Sequence, residues 1–285
     1  MNGFDKFIHA FQYEVKKPPL FGWYHLVALA IILALAAVVI VFRKKISHKT
    51  INITLLAVAI ILLVLEAVKQ CVMSMDVVDG VAQWEYAWKQ FPFQFCSAPM
   101  YLYLLAGILR KGKVYDTLLC FLATFGLFGG LVVCIYPSTV LSSTLFLSIH
   151  TMIWHGAMLV VGVMLLATKT VALHFKSMLK AGIVFSIILV LAELMNIIWH
   201  FTLGNPDTPD KFNMFYISPY GDCDIPVLHD IKNKAPYVVF LISYVVGFSA
   251  AACIVMGSAI GIDKLYQLIV RKKRAKAEAK EAPKE

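Results

Sequence analysis

Long apolar runs, separated by short polar segments, make up most of the chain. Seven nearly uncharged stretches of about 17 to 27 residues would each be long enough, as helices, to cross a hydrocarbon core of about 30 Å. They lie at about 22–42, 51–70, 93–109, 114–135, 143–167, 178–203 and 236–262. Because a chain in lipid must satisfy its backbone hydrogen bonds internally, the pattern predicts an all-α, polytopic membrane protein with a seven-transmembrane-helix bundle.

The composition supports a membrane class and excludes a soluble globule. Of the 285 residues, 60% are hydrophobic and 15% are charged, whereas soluble domains carry about 25% charged residues. The formal net charge is +9. In a membrane protein this excess is interpreted by where lysine and arginine fall along the chain, so it does not indicate a nucleic-acid partner.

The basic residues predict an orientation. Lysine and arginine cluster at 43–49, 110–113, 169–180 and 264–274, alternating with acidic or neutral connections. The positive-inside rule assigns these clusters to the cytoplasm, with the N-terminus outside and the C-terminus inside. We therefore predict a multi-pass protein of the cell membrane.

Three regions follow from this topology. Residues 1–20 form an extracytoplasmic segment, residues 21–263 form the membrane domain, and residues 264–285 form a basic, disordered cytoplasmic tail. The basic start of the tail is expected to lie on anionic lipid headgroups.

Ionisable residues within the spans gather in the predicted outer halves. Each costs about 3 kcal/mol at the centre of a membrane helix and therefore suggests a cavity or site. They and their polar neighbours are Glu66, Lys69 and Gln70 on span 2; Gln94 and Cys96 on span 3; His150 and His155 on span 5; and Glu193, Asn196 and His200 on span 6. The sequence predicts a polar pocket open to the outer leaflet or the extracytoplasmic face.

Helical spacing refines this pocket. Glu193, Asn196 and His200 fall within about 60° of one another around a helix, so all three can point inward. Glu66 and Lys69 either form an intrahelical ion pair that neutralises itself or take part in the polar pocket. Since His150 and His155 are about 140° apart, one of the two is expected to be structural.

The segment Pro92–Pro99 has the most chemistry-like pattern. Pro99 is expected to kink the helix beside Cys96. A thiol next to a broken turn is either a nucleophile, with His155 or His150 accepting its proton, or a small packing residue. The other cysteines are expected to be packing residues. One disulfide bridge among Cys71, Cys134 and Cys223 is also compatible with the sequence. The loop of residues 204–236 fits a lid over the pocket or a solvated connection.

In this order of features the chain resembles the YwaF-like integral membrane family, whose animal relatives include a transmembrane acyltransferase acting on ether phospholipids. The resemblance rests on five stretches in order. These are Trp23-Tyr24-His25-Leu26, Pro92 to Cys96, the span 4 glycines ending at Tyr136-Pro137, His155-Gly156, and Leu203-Gly204-Asn205 with Phe212-Asn213-Met214-Phe215-Tyr216.

The resemblance implies an intramembrane cysteine that forms an acyl-enzyme and passes the acyl chain to a lysolipid. Cys96 would be the nucleophile, His155 the base, and Glu193 or Asn196 would orient the base or donate to the oxyanion. Gln94, His150, His200 and Glu66 would line the substrate pocket. The partners would be membrane lipids, as acyl donor and lysolipid acceptor, with no cofactor and no metal.

Two other classes stay open at this point. A zinc-dependent intramembrane hydrolase would use His150 or His155, His200 and Glu193 as ligands. A transporter or sensor would use Glu66, Glu193 and the histidines to relay protons or to bind a ligand.

Overall fold

The fold is a helical bundle with one small hairpin. The computed structural model describes residues 3–78, 81–138, 140–205 and 211–281. In chain order the helices are α1 (Gly3–Phe11), α2 (Trp23–Phe42), α3 (His48–Met73), α4 (Ala98–Leu109), α5 (Lys113–Phe121), α6 (Leu127–Ile135), α7 (Leu145–Ala167), α8 (Lys176–Leu203), α9 (Leu228–Lys234) and α10 (Tyr237–Glu281). A π-helical turn, Leu122–Gly126, joins α5 and α6 into one continuous helix.

Six of these helices within the described residues are long and apolar enough to cross a membrane. They are α2, α3, the continuous α5–α6, α7, α8 and α10. The prediction of an all-α membrane protein is confirmed, and six helices rather than the seven predicted are long and apolar enough within the described residues.

The difference lies in the third predicted span, residues 93–109. Only the 12 residues of α4 are helical there, which gives a length of about 18 Å and cannot cross about 30 Å of hydrocarbon. Pro99 lies in the first turn of α4, where its missing N–H would be unpaired in any case. It therefore starts the helix, and the kink predicted beside Cys96 is absent.

The chain nevertheless descends along α3 through this region. The Gln70 side chain donates to the Gln90 carbonyl at 2.7 Å, and the Asn52 side chain donates to the Arg110 carbonyl at 3.3 Å. Gln70 and Asn52 are about 27 Å apart along a helix. The segment 90–110 thus runs antiparallel to most of α3, partly as irregular chain and partly as α4.

The basic connections gather at one end of the bundle, which we call the basic end. Lys169 forms an ion pair with Asp263 at 2.8 Å, and the Arg43 guanidinium lies 5.0 Å from the centre of the Tyr266 ring. The Asn52–Arg110 bond joins the 43–49 and 110–113 connections there. The prediction that these connections lie on the same side is met in the fold.

The opposite end, the loop end, carries most of the irregular structure. The hairpin strands β1 (Met75–Val78) and β2 (Val81–Trp84) pair antiparallel, with Met75 opposite Trp84. The Gln12 side chain donates to the carbonyls of Val72, at 3.0 Å, and Met75. The N-terminal segment therefore packs over the end of α3 that lies at the loop end.

Helices α6 and α7 pack most closely at Gly130. A Cβ atom there would lie 2.7 Å from the His155 carbonyl oxygen and 2.8 Å from the Leu159 nitrogen. Such distances are too short for any side chain, so glycine permits the contact. The glycines of span 4 thus act in helix packing.

Helix α10 extends well beyond the bundle. It has 45 residues and passes the Lys169–Asp263 ion pair before it ends at Glu281. The tail for which the sequence predicted disorder is therefore helical from 264 to 281, and its last four residues lie outside the described ones.

Candidate functional site

Cys96 lies at the start of α4, below the loop end. Ser97 is the N-cap of this helix, so the thiol lies near the positive end of the helix dipole, while the N–H groups of Ser97, Ala98 and Met100 are bonded to the Gln94 and Ser97 carbonyls. The Trp154 indole donates to the Cys96 carbonyl at 2.7 Å. This bond fastens the Cys96 segment to the turn of α7 that also carries His155.

His155 is held in one orientation on α7. Its Nδ1 lies 2.8 Å from the Thr151 carbonyl oxygen and 3.2 Å from the Thr151 hydroxyl. A carbonyl can only accept, so Nδ1 carries the hydrogen and Nε2 carries the lone pair. The side chain is 6% exposed, and a general base of this kind needs a free Nε2.

The segment 212–218, here called the plug, inserts into the loop end. Its Met214, Phe215, Ile217 and Ser218 are completely buried. The Gln94 amide donates to the Asn213 carbonyl at 2.8 Å and accepts from the Phe215 N–H at 2.8 Å. The part of the 204–236 loop that the structure describes, 204–205 and 211–236, therefore contains a packed plug, and residues 206–210 lie outside the described residues.

A second clamp holds the plug from α8. The Asn196 side chain accepts from the Met214 N–H at 2.7 Å and donates to the Met214 carbonyl at 3.1 Å. The neighbouring residues Phe215 and Tyr216 have φ values of 60° and 57°, which are unfavourable for residues with a Cβ. The two amide clamps offset this local strain.

Glu193 faces the start of α10. The Tyr237 hydroxyl lies 2.6 Å from Glu193 Oε1 and 2.7 Å from the Ile217 carbonyl. Because one hydroxyl hydrogen cannot serve both acceptors fully, the three groups form a shared contact. Glu193 thus stabilises the junction of α8, the plug and α10.

Lys232 supports the plug from α9. Its ammonium donates to the carbonyls of Ser218 and Gly221 and lies 5.4 Å from the Phe240 ring centre. Burial lowers the pKa of Lys232, although Cys223, Asp222 and Glu193 oppose this shift. The cation is thus partly desolvated and is held by backbone carbonyls.

A second polar group, the Glu66 cluster, comprises Glu66, Lys69, Gln70 and His150 between α3 and α7. The Lys69 ammonium lies 2.8 Å from Glu66 Oε1, and the Gln70 amide donates to the same oxygen at 2.6 Å. His150 Nε2 lies 3.8 Å from Glu66 Oε2. The His150 ring stacks on Trp154 with centroids 5.0 Å apart, which places the cluster beside the Cys96 segment.

His200 contacts the loop that follows α8. Its ring stacks on Tyr220 with centroids 3.5 Å apart. The ligands that the zinc hypothesis needs thus have different neighbours. His200 stacks on Tyr220, Glu193 contacts Tyr237, and His150 belongs to the Glu66 cluster. Within the described ranges, no group of three or more His, Cys, Asp or Glu residues is arranged to hold a metal ion.

An apolar groove of about 500 Å³ opens between α4, α5 and α8. Phe93 and Ala98 line the part next to Cys96, and Lys113 and Thr117 line the part nearer the basic end. The volume of the groove is in the range of about 300–1,000 Å³ found for small-molecule sites.

The sequence comparisons show the family. The chain matches the TMEM164 family over residues 20–260, which is most of its length. It belongs to the TMEM164 family. No curated protein and no solved structure matched the chain.

The match covers the plug and the Cys96 segment of this TMEM164-family protein. It establishes a membrane protein of that family. The similarity to the YwaF-like family and to an ether-lipid acyltransferase rests on the sequence resemblance alone.

The site residues of this TMEM164-family protein divide into three groups. Cys96 and His155 are on segments joined by Trp154, although no hydrogen bond between the two side chains is recorded among the described residues. Gln94, Asn196 and Glu193 hold the plug and α10. Glu66 and His150 share the Glu66 cluster.

Sequence reasoning missed the supporting residues. Thr151 lies one turn before His155, and Trp154 directly precedes it, so spacing offered a weak signal for both. Tyr237 and Lys232 contact the plug from distant parts of the chain. No local pattern indicates such long-range pairs.

All six cysteines of this TMEM164-family protein are free thiols. Cys134 and Cys223 are almost completely buried. The bridge that the sequence left open among Cys71, Cys134 and Cys223 is not formed.

Proposed function

We propose that this TMEM164-family protein is a lipid acyltransferase that uses Cys96 as nucleophile and His155 as general base. The observation that supports this proposal best is the Nδ1–H to Thr151 carbonyl bond, which leaves His155 Nε2 as a proton acceptor. The Trp154 bond to the Cys96 carbonyl keeps both residues in one neighbourhood. An oriented base near a nucleophile is what such a reaction requires.

The reaction would take place in two steps. In the first, the Cys96 sulfur attacks the carbonyl of an acyl ester, a C–S bond forms, and the ester C–O bond breaks. The thiol proton passes to His155 Nε2 and then to the leaving oxygen. In the second, a lysolipid hydroxyl attacks the thioester, a C–O bond forms, the C–S bond breaks, and the hydroxyl proton returns to sulfur through the base.

The surroundings of Cys96 determine how charge would develop during the attack. An isolated thiolate is unfavourable in a buried setting, so the proton must move as the attack proceeds. The positive end of the α4 helix dipole lies next to Cys96 and would favour negative charge on sulfur or on the oxyanion. The apolar groove beside Phe93 and Ala98 would hold the acyl chain.

The other predicted site residues would act through position. Gln94 and Asn196 hold the plug over Cys96, and Glu193 holds the start of α10 through Tyr237. His200 would position the outer part of the loop through Tyr220. His150 and Glu66 would contact the lipid acceptor.

The test is acyl transfer by purified full-length protein in lipid nanodiscs. Cys96→Ala and His155→Ala should each abolish transfer, and the double variant should be no worse than either, because the two groups act as one unit. Cys96→Ser should keep little activity. Cys253→Ala changes another partly exposed cysteine, on α10, and should transfer at the wild-type rate.

Intact-mass spectrometry gives a second readout. Protein given acyl donor should gain one acyl mass that hydroxylamine removes, and Cys96→Ala should gain none. Full transfer by well-folded Cys96→Ala protein would refute the cysteine mechanism.

We also propose that the basic end faces the cytoplasm of the cell and that the protein lies in the cell membrane with its N-terminus outside. The gathering of the basic connections at one end supports this orientation. A reporter enzyme active only in the cytoplasm should be active after Glu285 and silent before Met1. The reverse pattern would refute the orientation.

A further inference from the structure

Three polar atoms in the Glu66 cluster are buried without partners. Glu66 Oε2, Gln70 Oε1 and His150 Nε2 find no hydrogen-bond partner within the described part of the chain. Glu66 is 5% exposed and His150 is 8% exposed. Buried polar groups almost always have a partner, so three neighbouring exceptions suggest an absent ligand.

We propose that this cluster binds a hydroxyl group, either of a glycerol-based lipid or of water. This proposal deepens the proposed function. It rests on that function for the identification of the lipid as the acyl acceptor. The hydroxyl oxygen would lie to one side of Glu66 Oε2 and His150 Nε2, within hydrogen-bond distance of both; these two atoms are 3.8 Å apart. This separation exceeds the length of a direct hydrogen bond.

The donors and acceptors of the cluster match a hydroxyl. The carboxylate oxygen accepts the hydroxyl hydrogen, and an imidazole N–H can donate to the hydroxyl oxygen. The amide oxygen of Gln70 accepts a further hydrogen, which a second alcohol group or a water molecule supplies. The Gln70 orientation is set because its NH2 donates to both Glu66 and the Gln90 carbonyl.

The charges of the cluster favour a neutral ligand. The Lys69 ammonium already neutralises the Glu66 carboxylate. A cation would meet the ammonium, and an anion would meet the carboxylate. A hydroxyl avoids both repulsions.

The place of the cluster fits an acceptor. His150 stacks on Trp154, and Trp154 bonds to the Cys96 carbonyl. An alcohol held here would lie one side chain away from the Cys96 segment. The cluster is therefore suited to hold an acceptor while the acyl chain occupies the groove beside Phe93.

The test compares two lipid probes by native mass spectrometry of full-length Cys96→Ala protein, which prevents turnover. The probes are 1-oleoylglycerol and its doubly O-methylated analogue, which cannot donate a hydrogen bond. The ratio of their affinities removes the shared contribution of the oleoyl chain. We expect about tenfold preference for the free alcohol.

Two variants make the test specific. His150→Phe keeps the ring stack on Trp154 and should reduce the ratio to about 1, and Glu66→Gln should reduce it strongly. His174→Phe changes an exposed histidine at the basic end and should keep the wild-type ratio. Thermal unfolding of each variant shows that it is folded.

A high-resolution structure without added lipid identifies the source of the hydroxyl. A density peak within hydrogen-bond distance of the three atoms, together with a ratio near 1, assigns the site to water. A ratio near ten assigns it to the lipid. A ratio near 1 with no peak, or a high ratio kept in His150→Phe, would overturn the proposal.

The outcome is separate from that of the acyl-transfer test. If Cys96 proves dispensable while the alcohol preference persists, the hydroxyl site stands without the cysteine mechanism. If the preference is absent while Cys96 is required, only the hydroxyl site is wrong.

Discussion

The close contact of α6 with α7 makes Gly130 the most sensitive backbone position near His155. In Gly130→Ala the new Cβ would lie 2.7 Å from the His155 carbonyl oxygen, 2.8 Å from the Leu159 nitrogen and 2.9 Å from the Met158 Cβ. Ordinary contact begins at 3.4 Å. The helices would therefore need to separate by 3.4 − 2.7 = 0.7 Å at this point.

This separation should lower stability. Overpacking a well-packed interior costs about 1–3 kcal/mol. For a chain of this size, each kcal/mol shifts the melting temperature by about 2–4 °C, so Gly130→Ala should melt about 2–12 °C below wild type. A displacement approaching about 1 Å near His155 should also reduce acyl transfer, by up to about 100-fold.

The assay is thermal unfolding in detergent, followed with a dye that reacts with thiols as the buried cysteines become exposed. Gly182→Ala is the matched control, because a Cβ at that α8 position meets no atom within 4 Å. The control should melt at or above the wild-type temperature, since alanine favours the helix. Equal melting temperatures for the two variants would refute the packing argument.

Three further predictions concern the plug and the basic end. Gln94→Leu removes two hydrogen bonds to the plug backbone and should cost about 1–3 kcal/mol, measured as a lower melting temperature, whereas the exposed Gln83→Leu should leave it unchanged. The pKa of Lys232 lies below 10.5 in the folded protein, so the unfolded chain holds this proton more tightly and the free energy of unfolding should rise with pH up to about 10.5. Melting temperatures measured across this pH range should lose the rise in Lys232→Met. An unchanged pH dependence in the variant would contradict the assignment. Asp263→Asn breaks the partly exposed ion pair with Lys169 and should change the free energy of unfolding by less than about 1 kcal/mol. A shift of the melting temperature above about 5 °C would contradict this small contribution.

Several features were readable from the sequence because they depend on local pattern. The apolar run of α2 predicts a membrane helix whatever its neighbours are, and the structure buries only three of its 20 residues in the bundle. The alternation of basic and acidic connections likewise predicted that 110–113 and 169–180 lie at one end. Long spans and charge distribution are properties of segments, so the chain itself contains them.

The third predicted span, residues 93–109, is helical only from Ala98 onward. A window of apolar residues at 93–109 carries the hydropathy of a membrane helix, but hydropathy does not distinguish a helix from an irregular segment packed against protein. Gln70 and Gln94 supply hydrogen bonds to backbone outside the α-helices, at Gln90, Asn213 and Phe215. Irregular chain is tolerated in a membrane protein where other side chains satisfy it in this way.

The sequence located the polar residues of α3, α7 and α8 on the correct helices, but it placed Gln94 and Cys96 on a helix that begins only at Ala98, and it did not indicate the partners. It grouped Glu193, Asn196 and His200 on one face of α8, and the structure gives each a different contact in the following loop or α10. The distance along the chain between Gln94 and the plug is more than 110 residues, and no helical period connects them.

What the sequence by itself determined is the class of protein and the long apolar helices apart from the third predicted span. What only the tertiary structure decided is the plug, the short α4, the His155 orientation and the unpartnered atoms beside His150. A helix's length and apolarity follow from consecutive residues, whereas a hydrogen bond such as Trp154 to the Cys96 carbonyl joins residues 58 positions apart. Its existence depends on how the helices pack, because packing alone sets which distant donors and acceptors meet.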